Sequence, residues 1–324
     1  MTQTRTPVTR RELRIDVADA LGHTGPLEVS ITVVGPPPST LPARPLVVVA
    51  IPGGTYHRRY WDLQPPGRSG YSNAEHLAER GIVFVACDYL GGGDSTRPDD
   101  GDFIGLETQA DAAHAVLDAL HDEMPDATFV GIGQSLGGFI TMIQQGKYGD
   151  YPAVGIFGAS PLLIANTREQ PDWETMTASA RRDWIMSENA RQSGVPELPI
   201  YPGAPRDQYR GIFHVPDVPD DLFAYDEAEC HTLIPRMAGI DGMTPGFAAP
   251  FASNITSPVF LAFGELDVSA DPRLEGSGYP QSPDITTVVV PDMAHMHNFA
   301  DTREQLWERF LLWLPVASAR STAS

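Results

Sequence analysis

The chain has 324 residues, is 42% apolar and carries a formal charge of −20. That length suggests about two domains, or one large α/β core with an insertion. The apolar share supports a packed core, no run is long enough to span a membrane, and the charge argues against nucleic acid and anionic membrane surfaces as partners.

In chain order, residues 1–10 look disordered, and the polar, basic stretch 1–14 has no apolar centre of the kind a signal peptide needs. Residues 12–17 and 27–34 alternate apolar and polar as half-buried strands do. Pro36, Pro37, Pro38, Pro42 and Pro45 then stiffen a connector. Residues 46–51 and 82–87 are continuous apolar runs, the pattern of strands buried on both faces. Between them Ser72 is placed to cap a helix over 73–80 that Gly81 ends. A long helix is expected over 106–124, with Ala113, Val116, Leu117 and Leu120 at helical spacing. Strand-like runs recur at 127–132, 153–157, 259–263 and 286–290, and a closing helix at 303–314. From 161 to 252 buried-strand runs disappear, and polar helical segments with scattered aromatics and many prolines replace them. Cys87 and Cys230 make neither a disulfide framework nor a metal motif. Alternating strands and helices on this scale predict a doubly wound, mostly parallel sheet. The boundaries read as a core of 11–160 and 253–316, a helical insertion of 161–252, and disordered tails at 1–10 and 317–324.

The chemistry-bearing stretch is Gly131-Ile132-Gly133-Gln134-Ser135-Leu136-Gly137-Gly138. It follows an apolar strand and runs into a helix-like segment over 139–145. Strand, Gly-x-Ser-x-Gly and helix form the context of a nucleophile elbow. Ser135 must sit at the tip of a sharp, strained turn. Gly133 and Gly137 must leave that turn uncrowded. The helix N-terminus then favours developing negative charge.

Two more stretches follow later strands: Gly264-Glu265-Leu266-Asp267 and Pro291-Asp292-Met293-Ala294-His295. With Ser135 they give the order nucleophile, acid, histidine, and on these motifs the chain resembles the α/β-hydrolase family with a helical cap. The resemblance implies an α/β-hydrolase core and a serine hydrolase, esterase- or lactonase-like, with Ser135 as nucleophile, Asp267 as acid and His295 as base. The family spacing favours Asp267 over Glu265, and His295 over His297. The family's oxyanion loop often begins His-Gly; here Pro52-Gly53-Gly54 stands in that place, so the N–H of Gly54 or Thr55, together with that of Leu136, is the expected oxyanion hole. Residues 88–95 resemble the family's Asp-x-x-Gly-x-Gly-x-Ser turn with shifted spacing.

Beyond these, Tyr56, Gln134, Trp184 and His297 are candidates to touch substrate. Among the aromatics and methionines of the insertion (Trp173, Met176, Trp184, Met186, Tyr209, Phe213, Phe223, Tyr225) most are expected to pack and a few to line an apolar pocket. The expectation is a cytoplasmic enzyme with no metal and no cofactor. Its partner would be a bulky, mostly apolar small-molecule ester or lactone, with homo-oligomerisation left open. Thioester or carbon–carbon hydrolysis, or a non-catalytic receptor on the same fold, are the other readings.

Overall fold

A computed structural model describes residues 7–162, 171–216 and 218–320. The strands are β1 (Thr9–Asp16), β2 (Glu28–Gly35), β3 (Leu46–Ile51), β4 (Val83–Cys87), β5 (Thr128–Gln134), β6 (Val154–Phe157), β7 (Val259–Leu266) and β8 (Ile285–Ala294). They form one sheet in the order β1-β2-β4-β3-β5-β6-β7-β8. β1 runs antiparallel to β2 and β2 antiparallel to β4; every other pair is parallel.

The helices of the core are α1 (Asn73–Ala78), α2 (Leu106–Glu123), α3 (Leu136–Tyr148) and, after the insertion, the last helix, Arg303–Arg320. The period of two along each buried strand sorts side chains between the two faces of the sheet. Val47, Val49 and Ile51 of β3, with Val83, Val85 and Cys87 of β4, join one apolar cluster together with Leu106, Ala110, Val116 and Leu120 of α2. Val48 and Ala50, with Phe84 and Ala86, join the other, with Ala74 and Leu77 of α1 and Leu306, Trp307 and Phe310 of the last helix. Both faces are therefore covered, as the continuous apolar runs require.

The chain winds outward from β3 to β4 and then returns to place β5 on the other side of β3. That reversal opens a crevice at the C-terminal ends of β3 and β5, the place where sheets of this kind hold ligands. Between β6 and β7 the described residues form five helices, α4 (Ala178–Gln192), α5 (Arg206–Phe213), α6 (Asp220–Glu229), α7 (Arg236–Met243) and α8 (Ala249–Ala252); the last helix is thus α9. Proline stands immediately before α5, α6 and α7, at Pro205, Pro219 and Pro235. Its fixed φ sets the turn into each helix, which accounts for the proline content of this stretch. α7 also completes the core: Gly105, before α2, has no side chain to cap it, and Asp241 of α7 accepts the Leu106 N–H at 3.0 Å instead.

Both chain ends differ from the sequence expectation. β1 begins at Thr9, so Thr9 and Arg10 belong to a paired strand and not to a disordered tail. Arg10 is held by Asp62 at 2.7 Å and Glu75 at 2.5 Å. At the other end α9 runs on through Pro315 to Arg320, past the expected boundary at 316. Residues 1–6 and 321–324 lie outside the described residues. The 88–95 turn is a clamp: Asp88 accepts from the Arg58 N–H and guanidinium, each at 2.7 Å, and from the Asp94 N–H at 2.8 Å. Among the described residues no helix is long and apolar enough to cross a membrane.

Candidate active site

Ser135 stands between the end of β5 and the start of α3, with φ +52 and ψ −116. Among the described residues only Thr55, Ser135 and Asp292 combine a side chain with positive φ. Thr55 and Ser135 lie on the turns that build the site, and Asp292 lies near the end of β8, three residues before His295; backbone strain there is held by the surrounding structure. The turn leaves no space beside Ser135. A Cβ on Gly133 would lie 2.0 Å from the Gly137 carbonyl oxygen, and one on Gly137 would lie 2.1 Å from that of Ile51. The turn is pinned by the Ser135 N–H to Phe157 O at 2.8 Å and the Gly137 N–H to Pro52 O at 3.1 Å.

His295 follows β8, and its Nε2 lies 2.8 Å from Ser135 Oγ. Asp267 follows β7, and its Oδ1 lies 2.6 Å from His295 Nδ1. The Ser135 hydroxyl, the imidazole and the carboxylate thus form one hydrogen-bonded chain. The Asp267 side chain is only 1% exposed. Burial by itself would raise its pKa, but His295 and His297 outweigh burial and hold the carboxyl well below the usual carboxylate range. Glu265, the other acid considered, is exposed and accepts the Asp292 N–H at 3.3 Å, away from His295. The histidine loop is itself braced. Gln134 donates to the His295 carbonyl at 2.9 Å, and the N–H groups of His295 and Met296 donate to Ile212 O and Phe213 O of α5.

Two backbone N–H groups beside Ser135, those of Gly54 and Leu136, have no acceptor among the described residues. Their loops touch: a Cβ on Gly54 would lie 3.7 Å from Leu136 Cβ. The Thr55 N–H, the alternative donor, is already spent on the Tyr89 hydroxyl at 3.0 Å. A donor so engaged is not free for an oxyanion, so the expectation of Thr55 in that role is corrected in favour of Gly54.

A model of the alpha/beta hydrolase family matches residues 48–309. The chain belongs to the alpha/beta hydrolase family. No curated protein matches it. Solved structures similar to this hydrolase-family chain include a bromoperoxidase from Bacillus anthracis, 18% identical with a TM-score of 0.66, covering 94% of this chain and 100% of that one. A thermophilic esterase from Thermogutta terrifontis is 17% identical with a TM-score of 0.62, covering 95% and 99%. A proline iminopeptidase from Mycobacterium smegmatis is 19% identical with a TM-score of 0.60, covering 96% and 100%. At such identities the likeness is one of fold.

A cavity of about 230 Å³ opens on Ser135, Gly54 and Leu136 in this hydrolase-family chain. Phe139 of α3, Phe213 of α5, Ile240 of α7, Ile234 and Met296 give it apolar walls, and Asn189, Ser193 and Arg236 give it a polar margin. Arg236 brings no free charge, because Asp102 at 2.6 Å and Glu197 at 2.7 Å hold its guanidinium. Among the described residues no three His, Cys, Asp or Glu side chains are placed to hold a metal ion.

None of the four side chains expected to touch substrate lines this cavity. Tyr56 is fully buried, donates to Asp226 at 2.6 Å and lies under the Arg206 guanidinium at 3.8 Å. Gln134, the last residue of β5, points into the core to hold the histidine loop. Trp184 packs edge-to-face on Trp173, in a separate cluster with Ile185, Ala190, Leu198 and Ile240. His297 Nε2 lies 2.6 Å from Asp267 Oδ2. Of the aromatics and methionines named in the insertion, Tyr209 and Phe213 reach the cavity, stacked at 5.3 Å. Ile234, Ile240 and Met296 were not anticipated. They follow no motif, and their role shows only once α7 and the histidine loop face each other.

Behind the loop that carries Gly54 and Thr55 lies a second buried network. Arg206 donates to the Thr55 hydroxyl at 2.9 Å and the Thr55 carbonyl at 2.8 Å, and pairs with Asp226 at 3.1 Å. His214 Nε2 meets the same Asp226 at 2.8 Å. Thr55 is β-branched with φ +63, a costly conformation, and these contacts from α5 and α6 hold it there.

Proposed function

We propose that this chain is a serine hydrolase that cleaves an ester or lactone bond of a mostly apolar small molecule through an acyl-enzyme on Ser135. The observation that carries the reading is the 2.8 Å contact of His295 Nε2 with Ser135 Oγ, continued by the 2.6 Å contact of His295 Nδ1 with Asp267. A serine hydroxyl needs such a base to act as nucleophile.

Ser135 Oγ attacks the carbonyl carbon as His295 Nε2 takes its proton, and Asp267 steadies the imidazolium. The carbonyl oxygen becomes an oxyanion facing the N–H groups of Gly54 and Leu136, each worth roughly 3 kcal/mol to the transition state. Collapse restores the carbonyl and breaks the bond to the alkoxy group, which leaves with the proton from His295. Water then repeats the sequence on the acyl-enzyme and releases the acid. No cofactor or metal is called for.

The apolar walls and the spent charge of Arg236 support an uncharged acyl group. Residues 161–252 are read as a cap over the strand ends, favouring small molecules over a polymer surface. The neighbours' names span an esterase, a peptidase and a thioesterase domain, which leaves the leaving atom open to experiment.

The test is intact mass after exposure to a small fluorophosphonate. A single adduct is expected on wild type and none on Ser135→Ala; a panel of aryl esters, lactones, thioesters and diketones then fixes the bond cleaved. Absence of an adduct on wild type would turn the reading to a ligand-binding protein without catalysis.

A further inference from the structure

Asp267 serves two histidines. Its Oδ1 meets His295 Nδ1 and its Oδ2 meets His297 Nε2, each at 2.6 Å. The N–H groups of Val268 and Gly264 add one bond to each oxygen, at 2.7 and 3.1 Å. The His297 side chain is 1% exposed, and its other nitrogen, Nδ1, is buried with no partner among the described residues.

A carboxylate only accepts, so His297 Nε2 carries a proton directed at Oδ2. A buried nitrogen left without a partner, as Nδ1 is, is a burial cost that packing does not return, since an apolar side chain of similar volume would avoid it. The return is to be sought at Asp267.

We propose that His297 is a positioning residue that extends catalysis to lower pH by sharing Asp267 with His295. The inference rests on the serine-hydrolase reading. Asp267 favours the His295 imidazolium through its negative charge, and each further donor on the carboxylate withdraws part of that charge. With His297 on Oδ2, Asp267 stabilises the imidazolium less. His295 then remains neutral, and able to take the Ser135 proton, in more acidic solution. The same bond fixes the carboxylate plane and keeps Oδ1 on Nδ1.

The other titratable groups facing the trio do not mimic this effect. Burial pushes the Tyr60 phenol up, and it stays neutral. Glu275, from the turn between β7 and β8, is also pushed up by burial and is bonded to Ser269. On the insertion side, Asp226 is closed by Arg206. Glu265 is exposed at the end of β7.

The rate at which a small fluorophosphonate labels Ser135, followed by intact mass against pH, reads this without a known substrate. In His297→Leu the acid limb is expected to move up by about half a pH unit or more, roughly a threefold slower labelling at a pH on that limb. His297→Gln, whose amide N–H reaches the same oxygen, is expected to restore the wild-type position. An unmoved limb in His297→Leu, with Ser135 still labelled, overturns the sharing and leaves the serine reading standing; an unlabelled wild type overturns both. Nitrogen-15 spectra of wild-type histidines need no variant. His297 is expected to carry its proton on Nε2, and a proton on Nδ1 overturns the proposal.

Discussion

Asp267 and Asp226 sit in similar surroundings. Both side chains are sealed from solvent, and both meet a histidine ring nitrogen at hydrogen-bond distance. Each supports a loop that faces the same cavity: Asp267 through His295, Asp226 through Arg206 and Thr55. They differ in the company they keep. Asp226 is paired with a guanidinium, a permanent cation, and with the Tyr56 hydroxyl. Its charge is already neutralised, so it serves as a clamp. Asp267 faces two imidazoles and two backbone N–H groups, none of which must carry charge. Its negative charge remains available when His295 takes a proton. A buried carboxylate is suited to proton transfer when its partners can gain and lose a proton, and to scaffolding when a fixed cation closes it.

Replacing each aspartate by asparagine breaks the comparison most sharply. Asp267→Asn keeps the shape and loses the charge, so kcat is expected to fall about 10⁴-fold. KM and the cooperativity of unfolding should change little. A loss below tenfold would mean that another group supports His295. Asp226→Asn should do the reverse. It leaves the Arg206 guanidinium buried without a counter-charge, a cost of about 3–5 kcal/mol. Urea unfolding measures that cost. The rate per folded molecule should fall far less than in Asp267→Asn, because Ser135, His295 and Asp267 keep their contacts. Equal effects from the two variants on kcat would erase the distinction drawn between them.

The two sites also differ in how they are written in the sequence. Ser135, Asp267 and His295 each follow a strand within a short motif, so their places can be read from local pattern. The Gly133 requirement is equally local, since a Cβ there would meet the Gly137 and Gly138 backbone, whereas one at Gly137 would meet Ile51 and Pro52 at the end of β3. The Asp226 network is not local. Arg206, His214, Asp226 and Tyr56 span the insertion and the loop after β3, and no spacing rule joins them. For the same reason Tyr56 is no pocket residue although it follows Gly53, Gly54 and Thr55 in the chain: its ring is drawn under Arg206. Gln134 precedes Ser135, but strand alternation sends it into the core. Trp184 lies on a helix whose apolar residues face a small satellite cluster. The start of β1 is hidden in the sequence because Thr9, Arg10 and Arg11 are all exposed, and an edge strand facing solvent there has no apolar alternation to show.

A third buried carboxylate sharpens the contrast by its sign. Burial, aided by Glu107, pushes the Asp241 carboxyl up to about 6, against the pull of the Leu106 N–H and Arg182. In the unfolded chain it returns to about 3.9. The folded state therefore holds this proton more tightly. The stabilisation is complete below pH about 4 and is lost as pH rises through the folded value. Asp267 is linked in the opposite sense. Its folded carboxyl lies below the unfolded value, so its stabilisation is present above pH about 4 and is lost as pH falls further. Asp241→Asn can still accept the Leu106 N–H but cannot titrate. It is expected to remove about 1–2 kcal/mol of stability loss between pH 4 and 6, allowing for solvent screening of a partly open site. Urea melts at those two pH values read the difference, and the steep acid loss below pH 4 should persist. If wild type and Asp241→Asn lose the same stability over that interval, the Asp241 carboxylate is ionised in the native state throughout, and its pairing with Arg182 outweighs its burial.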